Sequence, residues 1–238
     1  MANRADNSIS VLAIQGKTVK LVDTVPMGEM VAAVVFTPDG KRALAAKFPS
    51  NKVALLNVDG QKVTYDKKDL PVGLWPYNVG ITPDGKLAVT SENGNSGRSD
   101  GNVDTVSVID LEANPPRVID KIMVDESPEG LAVSPTGRLA AAILLSGSDG
   151  PKNQGFYNRN GKVAVLKIEG KKVTKTGEVA VGAVPEGAVF SPDGKWLYVG
   201  NYADKNISIL RVDGDKVTDT GKTLALPGSP ASMRGRVQ

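Results

Sequence analysis

Apolar residues in this chain fall in short runs and in every-second-residue alternation, and nowhere in the 3.6-residue spacing of an amphipathic helix. Ile207-Ser208-Ile209-Leu210-Arg211-Val212 alternates, turns at Asp213-Gly214-Asp215 and resumes at Lys216-Val217-Thr218, which predicts two strands joined by a hairpin. Shorter apolar runs flank a recurring tetrapeptide: Ala188-Val189-Phe190 and Trp196-Leu197-Tyr198-Val199 around Ser191-Pro192-Asp193-Gly194, and Val34-Val35-Phe36 and Arg42-Ala43-Leu44-Ala45 around Thr37-Pro38-Asp39-Gly40. In that phrase Pro presets one turn dihedral, Asp bonds its own backbone, and Gly takes the positive φ that closes the turn. Each copy predicts a hairpin.

Two further copies, Thr82-Pro83-Asp84-Gly85 and Ser134-Pro135-Thr136-Gly137, make the phrase a repeat, with prolines at 38, 83, 135 and 192 spaced by 45, 52 and 57 residues. After each copy come a loop, an alternating strand and a second hairpin, so the unit is a four-stranded meander whose strands we name a to d. Units of this length predict an all-β β-propeller of four-stranded antiparallel blades. Complete blades are expected at about 31–75, 76–127, 128–184 and 185–229 of a single domain, with a partial blade over 8–30 and a terminal strand over 230–238. Residues 8–27 read as strands c and d alone, because Ser8-Ile9-Ser10-Val11-Leu12 matches Ile207-Ser208-Ile209-Leu210. Pro230-Ala231-Ser232-Met233-Arg234 reads as strand a alone, because Pro230 matches Pro76, Pro128 and Pro185. Nineteen strands result. Either the two ends meet in a closed five-bladed ring, or the chain is the C-terminal part of a seven-bladed one; a start in mid-blade without strand b favours the second.

Composition removes several chemistries. The chain has no Cys and no His, which excludes disulfides, thiolates, imidazole bases and the commonest zinc ligands. Its 29 basic and 26 acidic residues are scattered without a phosphate-tracking stripe, so nucleic acid is not an expected partner. No apolar run approaches the roughly 20 residues of a transmembrane helix, so no membrane insertion is expected, and the N-terminus lacks a signal-peptide pattern.

In a propeller the d–a and b–c loops share the face that surrounds the channel mouth, and ligands are expected there. The turn aspartates Asp39, Asp84 and Asp193 lie on the other face and read as turn formers. The residues after the strand-a prolines, Tyr77, Glu129, Glu186 and Ala231, are expected at the mouth. Oxygen-rich rings on a propeller axis suit Ca²⁺, which takes about six to eight oxygen ligands and needs no histidine. Alternatively, both glutamates are solvated or pair with Arg234. The b–c loops supply further candidates: Asn201 and Tyr202 in a short one, Glu92 and Asn93 opening a long one that runs to Asp104, and a third from Ser146 to Asn160. Trp75, Tyr77, Phe156, Tyr157 and Tyr202 supply stacking surfaces on that face. Gly94-Asn95-Ser96-Gly97 lacks the Gly-Lys-Ser/Thr of a phosphate loop.

The stretch Val181-Gly182-Ala183-Val184-Pro185-Glu186-Gly187-Ala188-Val189-Phe190-Ser191-Pro192-Asp193-Gly194-Lys195-Trp196-Leu197-Tyr198-Val199-Gly200-Asn201 closely resembles the YVTN-repeat bacterial β-propellers, grouped with the seven-bladed lactonase-like propellers. Departures are the missing strand-a proline of the first complete blade and Thr136 in place of Asp. The resemblance implies three functions. The first is a non-enzymatic binding or scaffold propeller that holds a protein, glycan or small ligand on its loop face. The second is a lactonase using Glu129, Glu186 or Ca²⁺. The third is a cell-surface structural protein that self-associates through unpaired blade edges. Together with the absence of cysteine, it implies a periplasmic or extracellular location.

Overall fold

The computed structural model describes residues 1–235, among which nineteen strands and no helix are found. A three-stranded sheet holds β1 (Ala2–Asn3), β2 (Ser8–Gln15) and β3 (Thr18–Pro26). Four four-stranded meanders follow. They are β4 (Val31–Phe36), β5 (Arg42–Lys47), β6 (Lys52–Asp59) and β7 (Lys62–Pro71), then β8 (Pro76–Ile81), β9 (Leu87–Glu92), β10 (Thr105–Asp110) and β11 (Arg117–Met123). The third is β12 (Pro128–Val133), β13 (Leu139–Leu144), β14 (Lys162–Glu169) and β15 (Lys172–Ala180), and the last is β16 (Pro185–Phe190), β17 (Trp196–Asn201), β18 (Asn206–Asp213) and β19 (Lys216–Ala225).

The core lies between sheets. Along β5, Ala43 and Ala45 pack back onto Ile9 and Val25, while Leu44 and Ala46 pack forward onto Val79 and Ala88. A strand buried on both faces needs no polar alternation, which is why β9 and β13 are buried at every residue. In all five sheets the pairing of strand c with strand d slips at one place, at Val11/Leu12, Leu55/Leu56, Val108/Ile109, Val165/Leu166 and Ile209/Leu210. A bulge there adds the twist that lets blades stack face to face.

The a–b turns form as the repeat requires. Thr82 Oγ1 donates to Asp84 Oδ1 (2.6 Å) and accepts from the Leu87 amide (3.1 Å), while the Lys86 amide donates to Asp84 Oδ1 (3.1 Å). These donors hold the Asp84 carboxyl below its ordinary range, the Thr82 hydroxyl first among them. Thr82 is buried, so Thr82→Ala should cost about 1–3 kcal/mol, read as a lowered midpoint in urea at unchanged slope.

Both chain ends differ from expectation. At the N-terminus a third strand exists: β1 pairs with β2 through Ala2↔Ile9 and Asn3↔Ser8. Asn3 Nδ2 donates to Ser8 Oγ (3.0 Å) and Ser10 Oγ (2.8 Å), as Asn201 Nδ2 does to Asn206 Oδ1 (2.7 Å) and Ser208 Oγ (2.8 Å). β1 is therefore the end of a strand b, too short to show alternation. At the C-terminus no strand forms over Pro230–Gly235, and positions 236–238 of the expected strand a lie outside the described residues. That segment still runs against the last sheet, where a Cβ on Gly187 would stand 2.5 Å from the Met233 amide nitrogen. Among the described residues no strand pairing joins the first sheet to the last.

Candidate ligand site at the channel mouth

Each strand a breaks register with its strand b just after its first residue, between Val31 and Ala33, Pro76 and Asn78, Pro128 and Gly130, and Pro185 and Gly187. The skipped residues are Ala32, Tyr77, Glu129 and Glu186. A bulge re-aims the side chain that it leaves unpaired. All four line one cavity of about 220 Å³, together with Asn78, Gly130, Gly187 and the terminal run Ala231–Arg234. The inner strands crowd together there: a Cβ on Gly130 would stand 2.0 Å from the Glu186 carbonyl oxygen, so only glycine fits. A larger cleft of about 380 Å³ opens at the outer rim, between Val165, Glu178 and Asp215, and contains none of these residues. The axial cavity is the better candidate because it gathers side chains from successive inner strands and includes carboxyls shifted from their ordinary range.

Glu129 is partly buried, and its pKa rises to about 7, mainly through burial and then through the charges of Glu186 and Asp149, against the pull of Arg4 and Asn93. Asn93, itself fully buried, donates from Nδ2 to Glu129 Oε1 (3.4 Å). Burial also raises Glu186, and it raises the Tyr77 phenol with help from the Glu129 charge. Arg4 stacks its guanidinium 4.5 Å from the Phe48 ring centroid and 5.3 Å from that of Tyr77, and Phe48 meets Trp75 edge-on at 5.0 Å. A cation and an aromatic wall thus flank the carboxyls.

The long b–c loops roof this site. A Cβ on Gly97 would lie 3.8 Å from Glu129 Oε1, so the loop from Asn93 to Asp104 covers that carboxyl. It interlocks with the next long loop: the Ser99 amide donates to Asp149 Oδ2 (3.2 Å) and the Gly147 amide to Ser99 Oγ (3.0 Å). At the end of the first of these loops Asp104 rises to about 6, by burial first and by the neighbouring charges of Asp100, Glu126 and Glu92, although the Ser127 amide (2.8 Å) opposes the rise.

Of the residues proposed from sequence, Tyr77, Glu129, Glu186 and Arg234 line the cavity and Asn93 touches it through Glu129. Three stand elsewhere. Glu92 is buried between strands and accepts from the hydroxyls of Thr90 (2.6 Å) and Thr105. Asn201 is buried in the network with Asn206 and Ser208 and accepts from the Gly182 amide (3.0 Å). Tyr202 is exposed and lines neither cavity. Arg4 and Asn78 were missed. Aligning Ser8-Ile9-Ser10 with Asn206-Ile207-Ser208 one hairpin further back would have set Asn3-Arg4 opposite Asn201-Tyr202 and put Arg4 in a b–c loop, though not against Glu129. Among the described residues no group of three or more acidic side chains is arranged to hold a metal ion.

No family model matches the chain, and no curated protein does. Its fold is similar to that of several solved β-propellers. Kuenenia stuttgartiensis hydrazine synthase is 19% identical, with a TM-score of 0.76 over 97% of this chain and 72% of that one. A candidate 6-phosphogluconolactonase from Bacteroides uniformis is 18% identical, with a TM-score of 0.74 over 97% and 68%. The periplasmic gluconolactonase of Pseudomonas aeruginosa is 19% identical, with a TM-score of 0.72 over 95% and 66%. At these identities the likeness shows the fold, and this chain spans 66–72% of their lengths.

Proposed function

We propose that the channel mouth binds a small, hydroxyl-rich organic acid or its lactone. The observation that carries this reading is the bulge repeated in strand a, which turns Tyr77, Glu129 and Glu186 into one polar cavity. At about 220 Å³ it falls below the roughly 300–1,000 Å³ of sites for drug-sized ligands, which suits a molecule the size of a monosaccharide. The Tyr77 ring offers a face for the C–H side of such a ligand. Glu129, Glu186 and Asn78 match its hydroxyls, and the guanidinium groups of Arg4 and Arg234 match a carboxylate.

Titration calorimetry against a panel of aldonic acids and their lactones tests this. Saturable binding is expected, weakened about tenfold or more by Glu129→Gln and by Arg4→Gln. Equal affinity in both variants would refute the site.

A second reading, lactone hydrolysis, is favoured by one observation: Glu129 has a pKa of about 7, where a general base works best. As a carboxylate it would take a proton from water while the oxygen attacks the lactone carbonyl. The ring C–O bond then breaks as Glu129 returns that proton to the departing ring oxygen, which gives the hydroxy acid and restores the carboxylate, and Arg4 and Arg234 offset the charge on the carbonyl oxygen. The rate should rise with pH through about 7, and Glu129→Gln should lower it by about 10²–10⁴-fold. Turnover that is independent of pH and of Glu129 would leave the binding reading alone. Either reading goes with a location outside the cytoplasm, supported by the absence of cysteine and by the periplasmic neighbour.

A further inference from the structure

We propose that loop 93–104 is a proton-controlled lid on the channel mouth, held shut over Glu129 while the carboxyls that latch it carry protons and released as they ionise. What the lid admits rests on the binding reading above; its opening does not.

The tip of the loop is fastened to carboxyls of two other loops. Ser99 is the hub: its amide donates to Asp149 Oδ2 (3.2 Å), its hydroxyl bonds to Glu126, and its Oγ accepts from the Gly147 amide (3.0 Å). The Gly101 amide donates to Glu126 Oε1 (3.2 Å), and Glu126 is buried. At the neck Asp104 accepts from the Ser127 amide (2.8 Å) and lies against Gly94, where a Cβ would overlap its carboxyl oxygen. Gly94 and Gly101 bend the loop at φ of 57° and 84°, a conformation that glycine adopts without strain and at which a lid can hinge. Gly97, between them, stands over Glu129.

Asp100, Asp104, Glu126, Asp149 and Glu129 thus follow the loop from neck to tip, with Glu92 facing Asp104 from β9 and Glu186 facing Glu129 across the mouth. The cations around them are committed elsewhere. Lys162 holds Asp125 and Glu178, and Arg159 holds Asp204, while Arg98 and Lys152 are exposed. Arg4 alone pulls on Glu129.

The direction of the response follows from linkage. Burial comes first in each case, taking Asp104 to about 6 and Glu129 to about 7 and raising Glu126. Neighbouring charges add to it, those of Asp125 and Asp149 in the case of Glu126, against the pull of the Gly101 amide and the Ser99 hydroxyl. A carboxyl whose pKa is higher under the shut lid than in water holds its proton more tightly in the shut form, so each ionisation favours opening. The shut form is favoured below the ordinary values of 3.8 and 4.5, loses ground as pH rises through them, and has lost what Asp104 and Glu129 contribute above about 7. The ionisation that turns Glu129 into a carboxylate therefore also loosens the loop above it.

Amide hydrogen exchange of the ligand-free protein, followed residue by residue, tests this. Protection of the Ser99 and Gly101 amides, relative to an unfolded chain at the same pH, should fall by about tenfold or more between pH 5 and 8. Asp104 alone supplies that much if opening returns it from about 6 to 3.8. Asp104→Asn and Glu126→Gln keep an acceptor oxygen and remove the charge, so each should shrink the fall, Asp104→Asn by about tenfold. The Tyr202 amide, bonded to the Val184 carbonyl (2.9 Å) in a short b–c loop, is the control and should keep its protection. Constant protection in the wild type, an equal fall at Tyr202, or a fall undiminished in both variants would overturn the lid. The wild-type profile decides the matter even if neither variant folds. Because exchange is read without ligand and calorimetry reads the ligand, failure of the lid and failure of the binding site are told apart.

Discussion

Glu129→Gln is expected to make the protein more stable at pH 8 and to change little at pH 4. In the folded chain this carboxyl has a pKa of about 7 against an ordinary value of 4.5. A raised acid pKa means that the folded state holds the proton more tightly than the unfolded state does. No penalty exists below pH 4.5, where both states are protonated. The penalty grows between 4.5 and 7 and is complete above 7, where it reaches about 3 kcal/mol. Glutamine carries no charge to bury and escapes it. Thermal melts across this range should show the variant gaining about 6–12 °C over the wild type as pH rises. Parallel curves would mean that Glu129 titrates as it would in water and that the mouth is wetter than the cavity implies. A group kept at such a cost in stability is expected at a functional site.

Gly130→Val is expected to be the most damaging single change near the site, at about 3 kcal/mol or more. A Cβ there would stand 2.0 Å from the Glu186 carbonyl oxygen and 2.9 Å from Ile143 Cγ1, so the inner strands of two blades would have to separate. In a chain of this size that corresponds to a melting point lowered by about 6–12 °C. Gly177→Ala is the control, since nothing lies within 4 Å of its Cβ position, and it should change stability little. If the two variants melted alike, glycine at position 130 would not be a packing requirement.

Most of the architecture was legible because the a–b turn carries its own chemistry. Pro, Asp and Gly each meet a local requirement, so four copies announce four hairpins whatever surrounds them. Tyr77, Glu129 and Glu186 were legible for a related reason, since a strand-opening proline marks the residue that the bulge turns inward. Glu92 and Asn201 misled because a polar residue ending a buried strand reads like the first residue of a loop; the hydroxyls that meet them come from Thr90 on the same strand and from Thr105 and Ser208 on the next one. β1 was invisible because two residues cannot alternate. The terminal segment Pro230–Arg234 has a strand-a sequence, but a strand needs a neighbour to pair with, and the sequence does not say whether one is in reach. Arg4 escaped because its role depends on that short pairing of β1 with β2.

The central claim, that a ligand sits against Glu129 at the channel mouth, is tested most directly by following the Glu129 carboxyl titration by NMR. Glu129→Gln identifies the resonance, and the titration is run with and without the tightest-binding member of the acid and lactone panel. The account predicts a midpoint near 7 in the free protein that moves when the ligand is bound. A midpoint near 4.5, or one at 7 that saturating ligand leaves in place, would contradict it.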